Sequence, residues 1–485
     1  MNIARVDEVR AAEERTIAGG TAGYELMRRA AKEAAQVIQE FCPSPRKSLL
    51  LCGGGNNGGD ALALAGMLPG EVIVYTARNL SEYKDAASCA AADLPAHISV
   101  HPLNALSAAV LTPGTLVIDG LLGIGFKGPE VRKEVADCIA LVNASACFIA
   151  ALDVPSGLNS DTGECSSATI RADLTITFGA VKAGLLLKQG PEYCGILRCA
   201  DIGLGKVSAD NRAVTFEEAL AFRPRKPADL HKNRRGELMI CAGSRDYTGA
   251  AALTAEAALR CGAGLVRLAT TNPRANLPHA LIVRKIEAPR GTLDPQIWSQ
   301  CADWLQCSTA LAAGPGWGNG EPALLAGALQ YAGPLVLDAD ALNLLARYPQ
   351  LWQKRPQTIL TPHPGEARRL AKAFGIEAED RETLARKLAQ KLGAVIVLKG
   401  KFTQISAPDG RESVILSGAP ALATAGSGDV LTGIIGALLA GGQDPFEAAV
   451  LGTSLHGRAG EISGNGTIAD DLPLVLKHIL ESLPL

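Results

Sequence analysis

The feature that most constrains the fold of this chain is a repeated alternation of short apolar runs with Ala- and Leu-rich segments of helical periodicity. In the first half, helices are predicted within residues 1–41, and strands are predicted at 48–52, 72–76, 116–122, 147–154 and 174–178. Helical segments such as 131–142 separate these strands. Because parallel strands need such crossovers, the pattern predicts an α/β protein with a doubly wound parallel sheet that is covered on both faces.

The same rhythm resumes in the second half, from a predicted strand at 238–241 to an apolar helical stretch at 430–439. Between the halves, proline and charge concentrate in the segment Phe222-Arg-Pro-Arg-Lys-Pro, which is typical of a domain boundary. A chain of 485 residues is also too long for one ordinary hydrophobic core. We therefore predict two domains, at residues 1–215 and 222–485.

Composition argues against several classes of function. The net charge of −2 argues against a surface for nucleic acids or anionic membranes, and no apolar run reaches the ~20 residues of a membrane span. The first residues lack the apolar region of a signal peptide, and the 12 cysteines form no CxxC pair, which argues against a disulfide scaffold or a zinc site. We expect a cytoplasmic protein that acts on small molecules. Apolar helix faces at the domain edges are compatible with a homo-oligomer, which we also expect.

Polar side chains gather where the predicted strands of the first half end. The strand at 48–52 runs into GGGNNGGD, the strand at 116–122 carries an acid and precedes GIGFKG, and the strand at 147–154 leads into DVPSGL. These segments would bring six side chains to one crevice: Asn57, Asp60, Asp119, Lys127, Asp153 and Ser156. A neighbouring Asp and Lys can act as an acid–base pair, and Asn, Asp and Ser oxygens suit a hard cation. Turn chemistry with a solvated lysine is the structural alternative, but three such strand ends favour a site.

GGGNNGGD, GLLGIGFKG and LDVPSGL resemble, in this order, the signature segments of the NAD(P)H-hydrate epimerase domain known as the YjeF N-terminal fold. The resemblance covers about residues 1–205 and implies a Rossmann-like sheet. It implies that a hydrated nicotinamide nucleotide is bound by Asn56, Asn57, Gly58, Gly59, Asp60, Gly123, Ile124, Gly125, Phe126, Lys127, Gly128 and Asp153. It also implies that Asn57, Asp119 and Ser156 bind potassium, and that Asp119 and Lys127 do acid–base work.

In the second half, the stretch ATAGSGDVL places a loop rich in small residues directly before a helix. Gly426, Ser427 and Gly428 leave backbone N–H groups free to turn toward an anion, and the helix that follows adds its positive dipole end. Asp429 stands at the start of this helix. An acid there is either an N-cap or a catalytic base beside a bound phosphate, and the loop alone does not decide between the two.

Histidine occurs at two further places of interest. His363 lies between two prolines at a predicted strand end, which favours ligand contact over a structural role. Metal ligation by His363 is not expected, because no second histidine is spaced for it. His231 is the second, and it begins a basic run at 231–235. Such a run is either an anion patch or, more commonly, a solvated surface.

YTGA, AGPGWG, LDADAL, LTPHPGE, LKGKFT and ATAGSGDVLTG resemble, in this order, the carbohydrate-kinase domain of the YjeF C-terminal type. That family is the ADP- or ATP-dependent NAD(P)H-hydrate dehydratase, with a ribokinase-like α/β fold, and the resemblance covers about residues 225–485. It implies hydrate contacts by Ala250, Gly316, His363 and Asp429, and nucleotide contacts by Lys399, Gly400, Lys401, Phe402, Thr403 and Gly428. The family's HKGxxG segment appears here as HKNRRG, in which Asn tolerates a left-handed backbone.

Together the two resemblances imply repair of hydrated NADH and NADPH, called NADHX and NADPHX. The N-terminal domain would interconvert the R and S hydrates, and the C-terminal domain would remove the hydroxyl of the S form at the expense of ADP or ATP, with Mg²⁺ on the phosphates. Asp429 would be the general base, and the amides of 426–428 would stabilise the transferred phosphoryl group.

Two alternatives remain open at this point. One is a ribokinase-like kinase of small alcohols with an accessory nucleotide-binding domain, and the other is a binding module without activity. The site in the N-terminal half argues against the first, because such a kinase has no need of it. The acids Asp119, Asp153 and Asp429 argue against the second.

Overall fold

The computed structural model describes residues 1–224, 235–274, 276–287, 292–318, 320–378, 380–464 and 466–483. The chain divides into two compact units, Met1–Ala213 and Val214–Leu485. Among the described residues, every helix is too short or too polar to cross a bilayer.

The first unit contains a parallel sheet and helices on both of its faces. Its strands are β1 (Ile3–Ala4), β2 (Lys47–Cys52), β3 (Glu71–Thr76), β4 (Ser99–Pro102), β5 (Thr115–Gly120), β6 (Phe148–Leu152), β7 (Leu174–Phe178), β8 (Val181–Lys182) and β9 (Ile196–Ala200). Its helices are α1 (Val6–Ala18), α2 (Gly23–Phe41), α3 (Asn56–Ala65), α4 (Asp85–Ala92), α5 (Lys133–Asn143), α6 (Ala183–Leu186) and α7 (Gly190–Tyr193). Seven strands form one sheet in the order β4-β3-β2-β5-β6-β7-β9, and all neighbours are parallel.

Residues of the central strands of this sheet alternate between two hydrophobic cores. In β2, Leu50 and Cys52 belong to the core that includes α1 to α4, whereas Leu49 and Leu51 belong to the core that includes Ile139 of α5. A strand that is buried on both faces needs a continuous apolar run rather than an alternating one. The predicted doubly wound sheet is therefore confirmed.

The second unit repeats this design with a larger sheet. Its strands are β10 (Ala213–Val214), β11 (Glu237–Cys241), β12 (Leu265–Thr270), β13 (Ile282–Lys285), β14 (Ala310–Ala313), β15 (Leu335–Leu337), β16 (Thr358–Leu360), β17 (Val395–Leu398), β18 (Thr403–Ser406) and β19 (Glu412–Ile415). Its helices are α8 (Phe216–Ala219), α9 (Thr248–Arg260), α10 (Ile297–Gln300), α11 (Ala302–Cys307), α12 (Pro322–Gln330), α13 (Asp340–Arg347), α14 (Pro364–Ala373), α15 (Arg381–Leu392), α16 (Ser427–Ala440), α17 (Pro445–Ser463) and α18 (Leu472–Ser482).

The strand order of the second sheet is β10-β19-β18-β17-β16-β15-β14-β11-β12-β13. The strands from β17 to β13 in this order are parallel, and β18 and β19 add an antiparallel edge. Leu238 and Ile240 of β11 pack with α9, α16 and α17, whereas Met239 and Cys241 face the opposite core. The carboxyl ends of β11, β14, β15, β16 and β17 are thus neighbours at one edge, where ligands of open α/β sheets bind.

Candidate active sites

In the first unit, the turn after β2 lies against the loop after β5. A Cβ on Gly53 would stand 1.7 Å from the carbonyl oxygen of Leu121, and a Cβ on Gly58 would stand 1.8 Å from that of Gly53. Only glycine allows the backbone to approach so closely. The segments GGGNNGGD and GLLGIGFKG are therefore adjacent, and α3 begins within the first of them, at Asn56.

Asn57, Asp119 and Ser156 form one buried polar cluster at this point. Asp119 accepts hydrogen bonds from the Ser156 hydroxyl at 2.6 Å and from the Ser156 amide at 2.8 Å. Asn57 Nδ2 donates to the Leu122 carbonyl oxygen at 2.9 Å, and the Leu122 amide donates to Ser156 Oγ at 2.8 Å. The fold thus brings together the three residues that are predicted to bind potassium.

This cluster has the donor set of a cation site. Asn57 Oδ1 is buried and accepts no hydrogen bond from any described residue, although buried acceptors are normally satisfied. Asp119 is fully buried; burial raises its pKa to about 6, and its hydrogen bonds from Ser156 oppose that rise. A cation would satisfy Asn57 Oδ1 and compensate the buried carboxylate. The residues therefore fit a potassium ion.

A cavity of about 1130 Å³ opens beside this cluster, which is large enough for a nucleotide. The predicted binding residues on its walls are Asn56, Asn57, Asp60, Gly123, Ile124, Gly125, Phe126 and Asp153. Gly58 and Gly59 are buried within α3, where a Cβ on Gly59 would stand 2.7 Å from Met27 and Ala87 side-chain atoms. These two glycines act by permitting close packing, and Gly128 is exposed on the loop.

Lys127 and Asp119 are not neighbours in the structure. The Lys127 side chain is 63 % exposed and its ion pair, at 3.7 Å, is with Asp161. Asp119 lies inside β5 and is buried, whereas Lys127 lies on the exposed loop that follows the same strand. Within the described ranges the two form no ion pair, and the catalytic roles assigned to them stay predictions.

Lys182 is a site residue that sequence reasoning did not identify. It is only 1 % exposed, it lines the cavity and it forms an ion pair with Asp153. Glu13, from α1, lines the same cavity. A single lysine inside the apolar run ITFGAVKAGLLL was the available signal, because a buried lysine is almost always paired.

In the second unit, the turn that opens α9 packs on the loop after β14. Gly316 has a φ of +61°, and a Cβ there would stand 2.8 Å from Tyr247 Cβ and 3.0 Å from Ala250 Cβ. Glycine is thus required both by the left-handed backbone and by the close approach. Ala250 and Gly316, both predicted to contact the hydrate, are brought together.

Asp338 and Lys399 form the charged centre of this site. Lys399 Nζ lies 2.8 Å from Asp338 Oδ1, and the Thr432 hydroxyl donates to Asp338 Oδ2 at 2.8 Å. A Cβ on Gly428 would stand 3.3 Å from Lys399 Nζ, so the GSGD loop lies directly against the pair. Asp338 was not among the predicted site residues, although the next residue, Ala339, has a φ of +48°. Such strain in a non-glycine residue is typical of functional sites.

Asp429 is not the N-cap of its helix. Gly426, with a φ of +89°, is the N-cap of α16, which begins at Ser427. Burial and the charge of Asp338 raise the pKa of Asp429 to about 7, and the charge of Lys399 opposes that rise. A carboxyl group with such a pKa can accept a proton at neutral pH. The capping alternative for Asp429 is therefore wrong.

His363 has a structural role and also faces the charged centre. It is the N-cap of α14, where its Nδ1 accepts a hydrogen bond from the Gly365 amide at 3.0 Å. Burial and the charges of Lys399 and Arg369 lower its pKa, which keeps the ring neutral. Glu366 Oε1 lies 3.5 Å from His363 Nε2, and burial raises the pKa of Glu366 to about 7. Sequence reasoning missed Glu366.

The predicted nucleotide contacts form the turn between β17 and β18 and the first residue of β18: Lys399, Gly400, Lys401, Phe402 and Thr403. Arg381 Nη2 donates to the Lys399 carbonyl oxygen at 3.0 Å, and the Thr403 hydroxyl donates to the Gly400 carbonyl oxygen at 3.1 Å. The turn is thus held by side chains and carries cations, which suits a phosphate. Of the basic run at 231–235, residues 231–234 lie outside the described residues.

Comparisons with known proteins match both units. Residues 238–481 match the family described as NAD(P)H-hydrate dehydratase, and residues 23–184 match the family described as YjeF-related protein N-terminus. The bifunctional NAD(P)H-hydrate repair enzyme Nnr of Coxiella burnetii is 36% identical over 489 residues, which is 96% of this chain and 96% of that protein. The protein of the same name from Escherichia coli is 36% identical over 476 residues, which is 94% of this chain and 89% of that protein.

Among solved structures, a similar one is the ADP/ATP-dependent NAD(P)H-hydrate dehydratase from Bacillus subtilis, co-crystallized with ATP and Mg²⁺. It is 30% identical, and the match covers 56% of this chain and 98% of that chain with a TM-score of 0.46.

Proposed function

The chain belongs to the family of bifunctional NAD(P)H-hydrate repair enzymes, and we propose how its two sites divide that chemistry. The enzyme repairs hydrated NADH and NADPH. Its N-terminal unit interconverts the R and S hydrates, and its C-terminal unit dehydrates the S form at the expense of ADP or ATP. Epimerisation supplies the dehydratase with the half of the damaged cofactor that it would otherwise leave.

The position of Asp429 in the first turn of α16 is the observation that supports the proposed dehydratase chemistry. Hydroxide is a poor leaving group, so the hydroxyl of the hydrate is first phosphorylated and then eliminated as phosphate. Asp429 accepts the hydroxyl proton as the oxygen attacks the terminal phosphorus of the nucleotide. The amides of Gly426 and Gly428, the positive end of α16 and the Lys399 ammonium stabilise the negative charge on the transferred phosphoryl group. The Ser427 amide, which was also expected to do so, donates to the Thr424 carbonyl oxygen at 3.3 Å.

Asp338 keeps Lys399 in place for this step. Its two oxygens are held separately, one by Lys399 and the other by Thr432, so the ammonium is fixed against the GSGD loop. Ala250, Gly316 and His363 are the proposed contacts of the hydrate, and the turn at 399–403 together with Gly428 is the proposed contact of the nucleotide. Mg²⁺ would be held by the phosphates of the bound nucleotide.

In the N-terminal unit, Asn57, Asp119 and Ser156 are the proposed potassium ligands. A potassium ion there would be held by the start of α3, the end of β5 and the loop after β6, because Asn57, Asp119 and Ser156 come from these three segments. The cavity beside them is the proposed site of the hydrated nucleotide, with contacts from 56–60, 123–128 and Asp153. A cytoplasmic location and a homo-oligomeric state remain predictions from the sequence.

Absorbance at 340 nm tests the whole proposal. An R/S mixture of hydrated NADH is incubated with the protein, Mg²⁺, K⁺ and either ADP or ATP. Recovery of all the NADH is expected, and the dehydratase alone would stop at the S fraction. A halt at that fraction would refute the epimerase site while leaving the dehydratase site intact. A stable phosphorylated product without NADH would instead indicate a small-alcohol kinase.

A further inference from the structure

The wall of the N-terminal cavity contains a cluster of one lysine and three carboxyl groups, of which Lys182 and Asp153 are buried and Asp60 and Glu13 are half-buried. Lys182 comes from β8, Asp153 from the end of β6, Asp60 from α3 and Glu13 from α1. Each of Asp60 and Glu13 senses the charges of Asp153 and Lys182, so the four groups are close together. None of them is a proposed potassium ligand, and no step described above uses Lys182.

Asp153 is held so that one carboxylate oxygen stays available. The Lys182 ammonium, the Thr177 hydroxyl and the Phe178 amide all donate to Oδ1. Among the described residues nothing donates to Oδ2, and Asp153 lines the cavity. Its φ of +65° is uncommon and strained for a residue other than glycine. The fold thus accepts strain to present this carboxylate.

The Lys182 ammonium, like the Asp153 carboxylate, has part of its hydrogen-bonding capacity unused by the described residues. Its Nζ donates to Asp153 Oδ1 and to the Phe178 carbonyl oxygen, the latter at 2.7 Å. An ammonium group has three N–H donors, so one is left on a residue that lines the cavity. The pair therefore presents one donor and one acceptor to a bound ligand.

The rest of the cluster can store protons. Three carboxylates beside the Lys182 ammonium would leave an excess of negative charge away from water, which is costly and which the charge of Arg10 opposes only at Glu13. Burial accordingly raises the pKa of Asp60 well above its usual range and also raises that of Glu13. Asp153, by contrast, forms an ion pair with Lys182.

We propose that the Lys182–Asp153 pair, rather than Lys127, transfers the protons of epimerisation. This inference rests on the proposed epimerase function of the cavity. The hydrated carbon is bonded to the ring nitrogen. Asp153 Oδ2 accepts the hydroxyl proton, the O–H electrons form a C=O bond, and the carbon–nitrogen electrons pass to the nitrogen, which takes a proton from Lys182. After the aldehyde rotates, the nitrogen adds to its opposite face and both protons return, so nothing is oxidised or reduced.

The test uses the full chain, because the dehydratase of the second unit reports the amount of active protein in each sample, and urea unfolding of the first unit reports whether that unit is folded. With an R/S mixture, NADH forms in a fast phase from the S hydrate and in a slower phase that depends on epimerisation. Lys182→Met, Lys182→Arg, Asp153→Asn, Lys127→Met and the double variant of Lys182→Met with Asp153→Asn are compared with wild type and with Lys133→Met. Lys133 is a matched control, because it is 88% exposed on α5 of the same unit and its ion pair with Asp137 is on the surface.

The proposal predicts that Lys182→Met and Asp153→Asn each slow the second phase about 100-fold or more, mainly in kcat, with the first phase unchanged. Because the two residues act as one unit, the double variant should be no slower than the slower single variant, and Lys182→Arg should not restore the rate. A second phase within about threefold of wild type in Lys182→Met would overturn the proposal. A normal second phase in Lys182→Arg would also overturn it, because it would show that Lys182 supplies only a positioning charge. So would a loss of the second phase that occurs in Lys127→Met alone. If wild type itself lacks the second phase, the epimerase function fails instead.

Discussion

Dehydration of the S hydrate should depend on pH through Asp429. A general base works only when deprotonated, and the pKa of Asp429 is raised to about 7 by burial and by Asp338. With that value, about nine-tenths of the molecules carry the charged base at pH 8 and about one-tenth at pH 6. The rate is therefore expected to fall about tenfold from pH 8 to pH 6 and to change little above pH 8.

The direction in which Asp338 shifts the pKa of Asp429 can be checked by removing the charge of Asp338. In Asp338→Asn, the negative charge that raises the pKa of Asp429 is lost, and Lys399, now without its partner, lowers that pKa further. The midpoint of the profile should therefore move to lower pH, whatever happens to the maximal rate. The assay is the initial increase in absorbance at 340 nm with pure S hydrate and saturating nucleotide between pH 5.5 and 8.5.

Asp429→Asn is the control for this profile. Without the base, the rate should drop by about 10²–10⁴, and the remaining activity should be flat between pH 6 and pH 8 because the titrating group is gone. A flat wild-type profile, or a midpoint that moves to higher pH in Asp338→Asn, would refute the assignment of Asp429 as the base.

Three further substitutions probe the other contacts. Ser156→Ala removes the hydroxyl that donates at 2.6 Å to the buried carboxylate beside it, so half-maximal epimerisation should need more KCl, while the dehydratase rate of the same sample stays unchanged. Gly428→Ala would place a Cβ 3.3 Å from Lys399 Nζ; calorimetric titration should show weaker binding of ADP or ATP with an unchanged Tm. Gly53→Ala would place a Cβ 1.7 Å from the Leu121 carbonyl oxygen, and it should destabilise the first unit by about 3 kcal/mol. Urea unfolding measures that loss, and a transition of normal stability would contradict the packing described here.

Local patterns in the sequence were enough to predict the class of fold and the sheet edges where the polar turns gather. Apolar runs that are continuous rather than alternating predict strands that are buried on both faces. In the structure, as predicted, the polar segments GGGNNGGD, GIGFKG and DVPSGL each follow a strand. In a parallel sheet the carboxyl ends of neighbouring strands meet. For this reason residues as distant in sequence as Asn57, Asp119 and Ser156 could be expected in one cluster, without knowledge of any side-chain position.

Only the tertiary structure decided which charged groups are paired. Asp338 and Lys399 are 61 residues apart and Asp153 and Lys182 are 29 residues apart, and no periodicity links such partners. The contrast between Lys127, which is exposed, and Lys182, which is buried, likewise depends on which segments cover each side chain. The sequence determines backbone patterns because they arise from local sterics and hydrophobic spacing. The pKa and the partner of a charged group depend on desolvation and on charges brought from elsewhere in the chain, and these exist only once the chain has packed.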